Sequence, residues 1–267
     1  MQKMFKTLAI IGIASLTIIG CKKNDIQTPQ EEISQQTLNK IYNQGFGISN
    51  VQKIDEGYLV EGDIVLTEEF LNSNTGGNSL RIANNEQYRT TNLVNGPRVI
   101  TIALDSKLAA RVGYPEALAE VARRYNAENL TLTFQVVSSG ANITYVEGHG
   151  QYLASAGFPT GGNPYNTVKV NAQSIGEGNT STFINFCATI LAHEGGHCIG
   201  FRHTDYMDRS YSCGGAYSNE GASNVGAILI PGTPSGPDAG SWMLACVSRN
   251  QNRPFNANDK TALTYLY

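Results

Sequence analysis

Apolar residues recur at helical spacing most strictly between residues 182 and 199. There Phe183, Phe186, Ile190, His193 and His197 follow one another at intervals of 3, 4, 3 and 4, which lines one face of a helix. Gly200 comes next and predicts a left-handed helix end. A second helix is opened by Pro115 and carries Ala117, Leu118, Val121, Ala122 and Tyr125. Strands are expected over residues 99–104, 130–137, 143–146 and 167–170, and an amphipathic helix over 258–266 closes the chain. One of the strands at 143–146 or 167–170 is expected to border the functional cleft. Upstream, residues 32–45 predict a short helix, and residues 52–67 alternate as a hairpin turned at Glu56-Gly57. Residues 72–96 are dense in Asn, Gly, Ser and Thr, the composition of a linker, which places a domain boundary near Gly96. A sheet with helices, followed by an irregular region and one last helix, is an α+β layout.

The N-terminus changes the picture. Lys3 and Lys6 precede a 13-residue uncharged stretch from Leu8 to Gly20. That stretch is short of the roughly 20 residues needed to cross a bilayer, so it reads as an export signal over residues 1–20. Ile18-Ile19-Gly20-Cys21 resembles a bacterial lipobox, with Cys21 as the lipidated first residue of the mature chain. The expectation is an exported cell-envelope lipoprotein, held at the outer membrane or cell surface by its N-terminal lipid and releasable by processing. Residues 21–96 then form a tether and candidate pro-segment, and 97–267 the catalytic domain. With 22 acidic and 19 basic residues, a net charge of -3, the chain has no signature of nucleic-acid binding.

Setting Cys21 aside leaves Cys187, Cys198, Cys213 and Cys246, an even number that in an exported chain predicts two disulfides. Cys187 and Cys198 share the long helix about 16 Å apart, too far to bond each other. Each is therefore expected to pair with a different partner, with both connectivities open.

The chemistry gathers in HEGGHCIGFRH, residues 193–203, which holds three of the chain's four histidines. His193 and His197 stack on one helical face and share a metal, while Gly200 lets the chain turn so that His203 supplies a third nitrogen. Three nitrogens and one open position describe a catalytic Zn2+ site holding one ion. Glu194, one residue off the ligand pair, is placed as general base and not as ligand.

HExxHxxGxxH is the zinc signature of the metzincin metallopeptidases, and Gly240-Ser241-Trp242-Met243 resembles their Met-turn, with Met243 beneath the metal. The wider run HEGGHCIGFRHTDY, then SCGG, GTPSGPDAGSWM and NDKTALTYLY, looks like the dual-action HEIGH metallopeptidases over residues 99–267. Gly195 stands where that family's name has Ile. Similarity to the astacins is more distant: Asp208, Arg209 and Tyr211 match, whereas Thr204 and Ala245 stand in place of a Glu and a metal-binding Tyr. The resemblance implies a twisted mixed sheet with two helices, one of them zinc-binding, then an irregular subdomain with the Met-turn and a final helix. It also implies an endopeptidase acting on peptides or proteins outside the cytoplasm. Val60-Glu61-Gly62-Asp63-Ile64 resembles the Phe-x-Gly-Asp element of astacin pro-segments, which makes Asp63 a candidate latency ligand; the competing reading is a plain turn. Asp205 and Glu220 are weighed as further ligands and set behind His203. Two rival functions use the same fold: a non-catalytic surface adhesin, which has no need of Glu194, and a zinc amidase of cell-wall peptides.

Overall fold

The computed structural model describes residues 32–73, 87–220, 227–234 and 236–267. The expected signal segment and Cys21 lie outside the described residues. From the N-terminus the elements are α1 (Gln35–Asn43), β1 (Gln52–Ile54), β2 (Gly57–Val60), β3 (Ile64–Leu66) and α2 (Glu68–Asn72). There follow β4 (Tyr88–Arg89), β5 (Arg98–Leu104), α3 (Ser106–Ala109), α4 (Tyr114–Asn126), β6 (Leu132–Val136), β7 (Ile143–Glu147), β8 (Ala154–Gly157) and β9 (Thr167–Val170). The chain ends with α5 (Ala172–Ile175), α6 (Ser181–Ile199), α7 (Ser210–Cys213), β10 (Ile228–Leu229) and α8 (Ala257–Leu266). The α+β class expected from the sequence holds.

One eight-stranded sheet runs in the order β1-β2-β3-β8-β9-β7-β5-β6. β6, β5, β7 and β9 run parallel to one another, while β8 runs antiparallel to β9. β7 and β9, the strands expected to border the cleft, are interior to the sheet. β8 pairs with β9 on one side and in parallel with β3 of the early segment on the other, Ile64 opposite Ala156 and Val65 opposite Gly157, so it would be an edge only without that segment. β8 escapes a period-two reading because all four of its residues are buried, so no polar face alternates with an apolar one.

α6 is the centre of the molecule. The Thr180 hydroxyl caps it by accepting from the Phe183 N–H, and Gly200 ends it at φ 115°. A side chain at Gly200 would meet the Asn92 carbonyl at 2.8 Å, so the turn after the helix depends on this glycine. From Phe186 to Ile199 every residue of α6 is buried. Tyr125 on α4 and Tyr145 on β7 donate to the Ala192 and Leu191 carbonyls, tying the helix to its two neighbours.

The two-disulfide expectation is corrected. Cys213 and Cys246 bond each other, with Cα atoms 5.0 Å apart, and Cys187 and Cys198 remain buried free thiols. The cause is the all-round burial of α6: both of its cysteines face packed core and not the loops that carry Cys213 and Cys246.

Packing divides the chain differently from composition. Phe46, Tyr58, Val60, Ile64, Leu66, Phe70 and neighbours form a small core of their own, to which the later chain contributes Phe158. Residues 87–96, by contrast, are woven into the later part. The Gln87 amide donates to Asp259 and Ser241, and the Thr90 N–H to the Gly200 carbonyl. Residues 87–96, on the early side of the boundary expected near Gly96, are thus packed with the later part of the chain.

Candidate metal centre

His193 and His197 stand one turn apart on α6, and the left-handed turn at Gly200 carries His203 back to meet them. The three rings lie within 5.3 Å of one another, centroid to centroid. Each Nδ1 faces an atom that can only accept: the Trp242 carbonyl at 2.9 Å for His193, the Phe201 carbonyl at 2.8 Å for His197 and the Glu220 carboxylate at 2.9 Å for His203. Each Nδ1 must then carry its proton, which leaves the Nε2 atoms free to act as lone-pair donors. The Nε2 atoms of His193 and His197 are 3.1 Å apart. Two lone pairs facing each other at that distance, with both protons held elsewhere, call for a cation between them.

Asp63 is the fourth member. Its Oδ2 lies 3.2 Å from His203 Nε2 and 3.7 Å from His193 Nε2, and all four ligand atoms fall within 4.8 Å of one another. Although 3.2 Å is short, the Asp63–His203 contact is not aligned as a hydrogen bond, and His203 Nε2, Asp63 Oδ1 and Glu194 Oε2 are all buried without a partner. Orphaned donors and acceptors grouped in this way fit a bound metal ion and fit poorly to a packed polar core. Asp63 reaches the site from the turn Glu61-Gly62-Asp63 between β2 and β3.

The charges around the site follow from burial. Glu194 is almost completely buried, and desolvation, with the neighbouring Asp63 charge, pushes its carboxyl well above the usual range. Burial acts on Asp63 in the same direction. There the nearby histidines, His203 foremost, outweigh it and hold the carboxyl well below the usual range. His197, wholly buried and beside two other imidazoles, is lowered.

Met243 is fully buried under α6. The Thr204 N–H donates to its carbonyl at 3.0 Å, and the Trp242 indole donates to the Ala192 carbonyl. The turn thus holds His193 through Trp242 and the chain leaving His203 through Met243. Asp205 is not near the ligand set; its carboxylate accepts from the Ala245 N–H and the Ser212 hydroxyl, bracing the loop that the disulfide closes. Tyr206 packs edge-on against Tyr88, and Tyr211 lies exposed on α7.

Two contributions were missed by sequence reasoning. Glu220 lies outside the group of three histidines and Asp63, its carboxylate meets His203 Nδ1 as an orienting partner would, and it also accepts from Arg209 at 2.6 Å. A buried pair joins Glu61 to Arg202, whose NH2 donates to both carboxylate oxygens at 2.6–2.7 Å. Arg209 donates to the Glu61 carbonyl and lies over Gly62, fixing the turn that presents Asp63. Residues 221–226 follow Glu220 outside the described region, and the Gly-rich sequence around it carried no periodicity that would have assigned it a role.

A family model for the dual-action HEIGH metallo-peptidases matches residues 58–267. No curated protein matches the sequence. Among solved structures, that of myroilysin is similar at 20% identity and a TM-score of 0.40, covering 66% of this chain and 96% of myroilysin. High choriolytic enzyme 1, a hatching-enzyme zinc protease of the medaka fish Oryzias latipes, is similar at 14% identity and a TM-score of 0.34. That likeness covers 63% of this chain and 88% of the medaka enzyme. Both likenesses are loose, and it is the family match that places the chain.

Proposed function

The chain belongs to the dual-action HEIGH metallopeptidase family, and from that premise we propose that it is an exported zinc endopeptidase with Glu194 as general base, made latent by Asp63. The observation that carries this reading is the convergence of three histidine Nε2 atoms whose Nδ1 protons are all held elsewhere. His193, His197 and His203 would hold the ion. When bound, zinc supplies Lewis acidity, lowering the pKa of water and polarising a carbonyl. Glu194 removes a proton from the attacking water and returns it to the leaving amine. Its unpartnered Oε2 and buried position suit a base that holds and releases one proton beside the metal.

Asp63 is the ligand that the same site would take in place of water, because a carboxylate is a normal oxygen ligand for zinc. β3 lies along β8, the strand a substrate would otherwise extend by strand addition. On this reading the expected pro-segment, residues 21–96, blocks both the metal and the cleft through Asp63 and β3 until it is displaced.

Replacing Glu194 with Gln tests the assignment. Hydrolysis of peptides is expected to vanish while one zinc per chain remains by metal analysis. Loss of zinc together with activity would count against Glu194 as base. Lipidation at Cys21 is tested separately: Cys21→Ser is expected to move the protein from the membrane fraction to the soluble exported fraction. A variant that stays membrane-bound and uncleaved would remove the lipobox reading.

A further inference from the structure

A cavity of about 230 Å³ adjoins the metal centre, with His193, Asp63 and Gly62 among its lining residues. Its walls are mainly apolar: Leu153 from the loop before β8, Ile190 of α6, and Leu244 and Val247 beyond the Met-turn. Arg253 also lines it, and Arg253 is only 8% exposed. Its NH1 donates to the Cys246 carbonyl at 2.7 Å, and its Nε is buried with no acceptor. Among the described residues no carboxylate lies within 4.0 Å of this guanidinium, whereas Arg111, Arg124, Arg202 and Arg209 all have one. Burial pulls its pKa down from the ordinary arginine value, with Asp205 and Asp259 opposing from farther away.

A buried guanidinium carries its full desolvation cost unless an anion meets it. Here the protein supplies one carbonyl to NH1 and none to the buried Nε, and the residue lines the same cavity as His193. The cavity has room for one side chain, and an apolar wall with a cation set into it matches the methylenes and carboxylate of an acidic residue. We infer that Arg253 is a specificity-determining residue that receives the side-chain carboxylate of an Asp or Glu flanking the cleaved bond, so that the substrates are acidic at that position. This rests on the peptidase reading above and narrows it to a substrate class.

The test uses the full chain with Asp63→Ala, so that the site is open, and peptides differing only by Glu, Gln, Leu or Lys on either side of the scissile bond. At one of the two positions, kcat/KM for Glu is expected to exceed that for Gln by about tenfold or more, the size of a charge-assisted hydrogen bond in a dry site. In Arg253→Gln that ratio falls to near unity, and Arg253→Lys restores part of it. Equal rates for Glu and Gln, or a ratio unmoved by Arg253→Gln, would overturn the inference while leaving the peptidase intact. A second readout needs no turnover: binding of the Glu and Gln peptides to the zinc-loaded Asp63→Ala, Glu194→Gln chain, followed by calorimetry. Tighter binding of the Glu peptide that disappears in Arg253→Gln upholds the pocket even if hydrolysis is never seen. Equal binding removes it. Should Arg253→Gln fail to fold, the Lys variant carries the comparison, with a diminished Glu preference expected and an unchanged one fatal.

Discussion

Two adjacent glycines in the HEGGH run do different things. A Cβ at Gly196 would stand 2.5 Å from Met243 Sδ and 3.1 Å from the Trp242 ring. The helix can lie on the Met-turn only because nothing projects there. Gly196→Ala is expected to cost about 1–3 kcal/mol in urea unfolding, the range for overpacking, and to weaken zinc binding because Trp242 also holds His193. A Cβ at Gly195 meets only the Tyr145 and Tyr125 hydroxyls, at 3.2 and 3.5 Å. These two tyrosines fill the space where the family's Ile would sit. Gly195→Ala gains about 1 kcal/mol of helix propensity against that mild crowding and is expected to stay within about 1 kcal/mol of the wild type. Equal loss in both variants would shift the cause from Met243 to helix flexibility. Glu220 makes a further residue-scale prediction. Removing it as Glu220→Ala leaves His203 Nδ1 without its acceptor, so zinc affinity measured against a competing chelator should fall about 10–100-fold. Unchanged affinity would show that Glu220 does not orient the ligand.

Among the elements, those with strong periodicity were legible before any coordinates. α6 and α4 lie within a residue of their expected limits, because each combines a start signal, a long repeat and, for α6, a terminating glycine. The motif placed His193, Glu194 and His197 for the same reason, since helical spacing fixes geometry locally, and His203 through the turn at Gly200. What the sequence left dark depends on partners remote in the chain. β8 is buried on both faces and shows no alternation, the cysteine pairing depends on which side chains face the core, and the Nδ1 acceptors are mostly carbonyls carrying no residue-type signal. The link between α8 and the Met-turn is of this remote kind. Asp259 opens α8 in a capping box with Asn256, and its carboxylate also accepts from the Trp242 N–H and the Gln87 amide. Burial lifts its pKa to about 6. A folded-state pKa above the unfolded value means that the native state binds this proton more tightly, so this group lowers stability as pH rises from about 4 to 6 and adds nothing further above that. Relative to Asp259→Asn, the wild type should therefore gain about 2–3 kcal/mol in unfolding free energy between pH 7 and pH 4. A difference that does not change with pH would mean the carboxyl titrates normally.

At the scale of the whole molecule, one sheet joins two cores. The early segment has its own aromatic cluster of Phe46 and Phe70, closed by Phe158 from the end of β8, and Phe158 also lies edge-on to His197. It is fastened by the β3–β8 pairing and by the Glu61–Arg202 ion pair, both beside the metal centre and neither part of it. A segment that folds largely on itself, docks through one strand and a few charges, and lays a carboxylate on three histidines has the physical form of a built-in inhibitor. If Asp63 acts as one, tethering would make the inhibition strong: a ligand held by its own chain acts at an effective concentration on the order of millimolar, and a fixed turn at Gly62-Asp63 would remove most of the remaining ordering cost. Asp63→Ala in the full-length chain, with Glu194 intact, separates inhibition from simple packing. The turn itself should survive, because the backbone carbonyl of residue 63 still accepts from the Ala156 N–H. If Asp63 is the switch, the variant cleaves itself between residues 72 and 98 or turns over peptide without prior processing, and Asp63→Asn, which keeps the shape but not the charge, moves in the same direction. The double variant Asp63→Ala, Glu194→Gln stays intact, which ties the self-cleavage to this site and not to a contaminating protease. Activity and processing unchanged from the wild type in both single variants would reduce Gly62-Asp63 to the turn between β2 and β3.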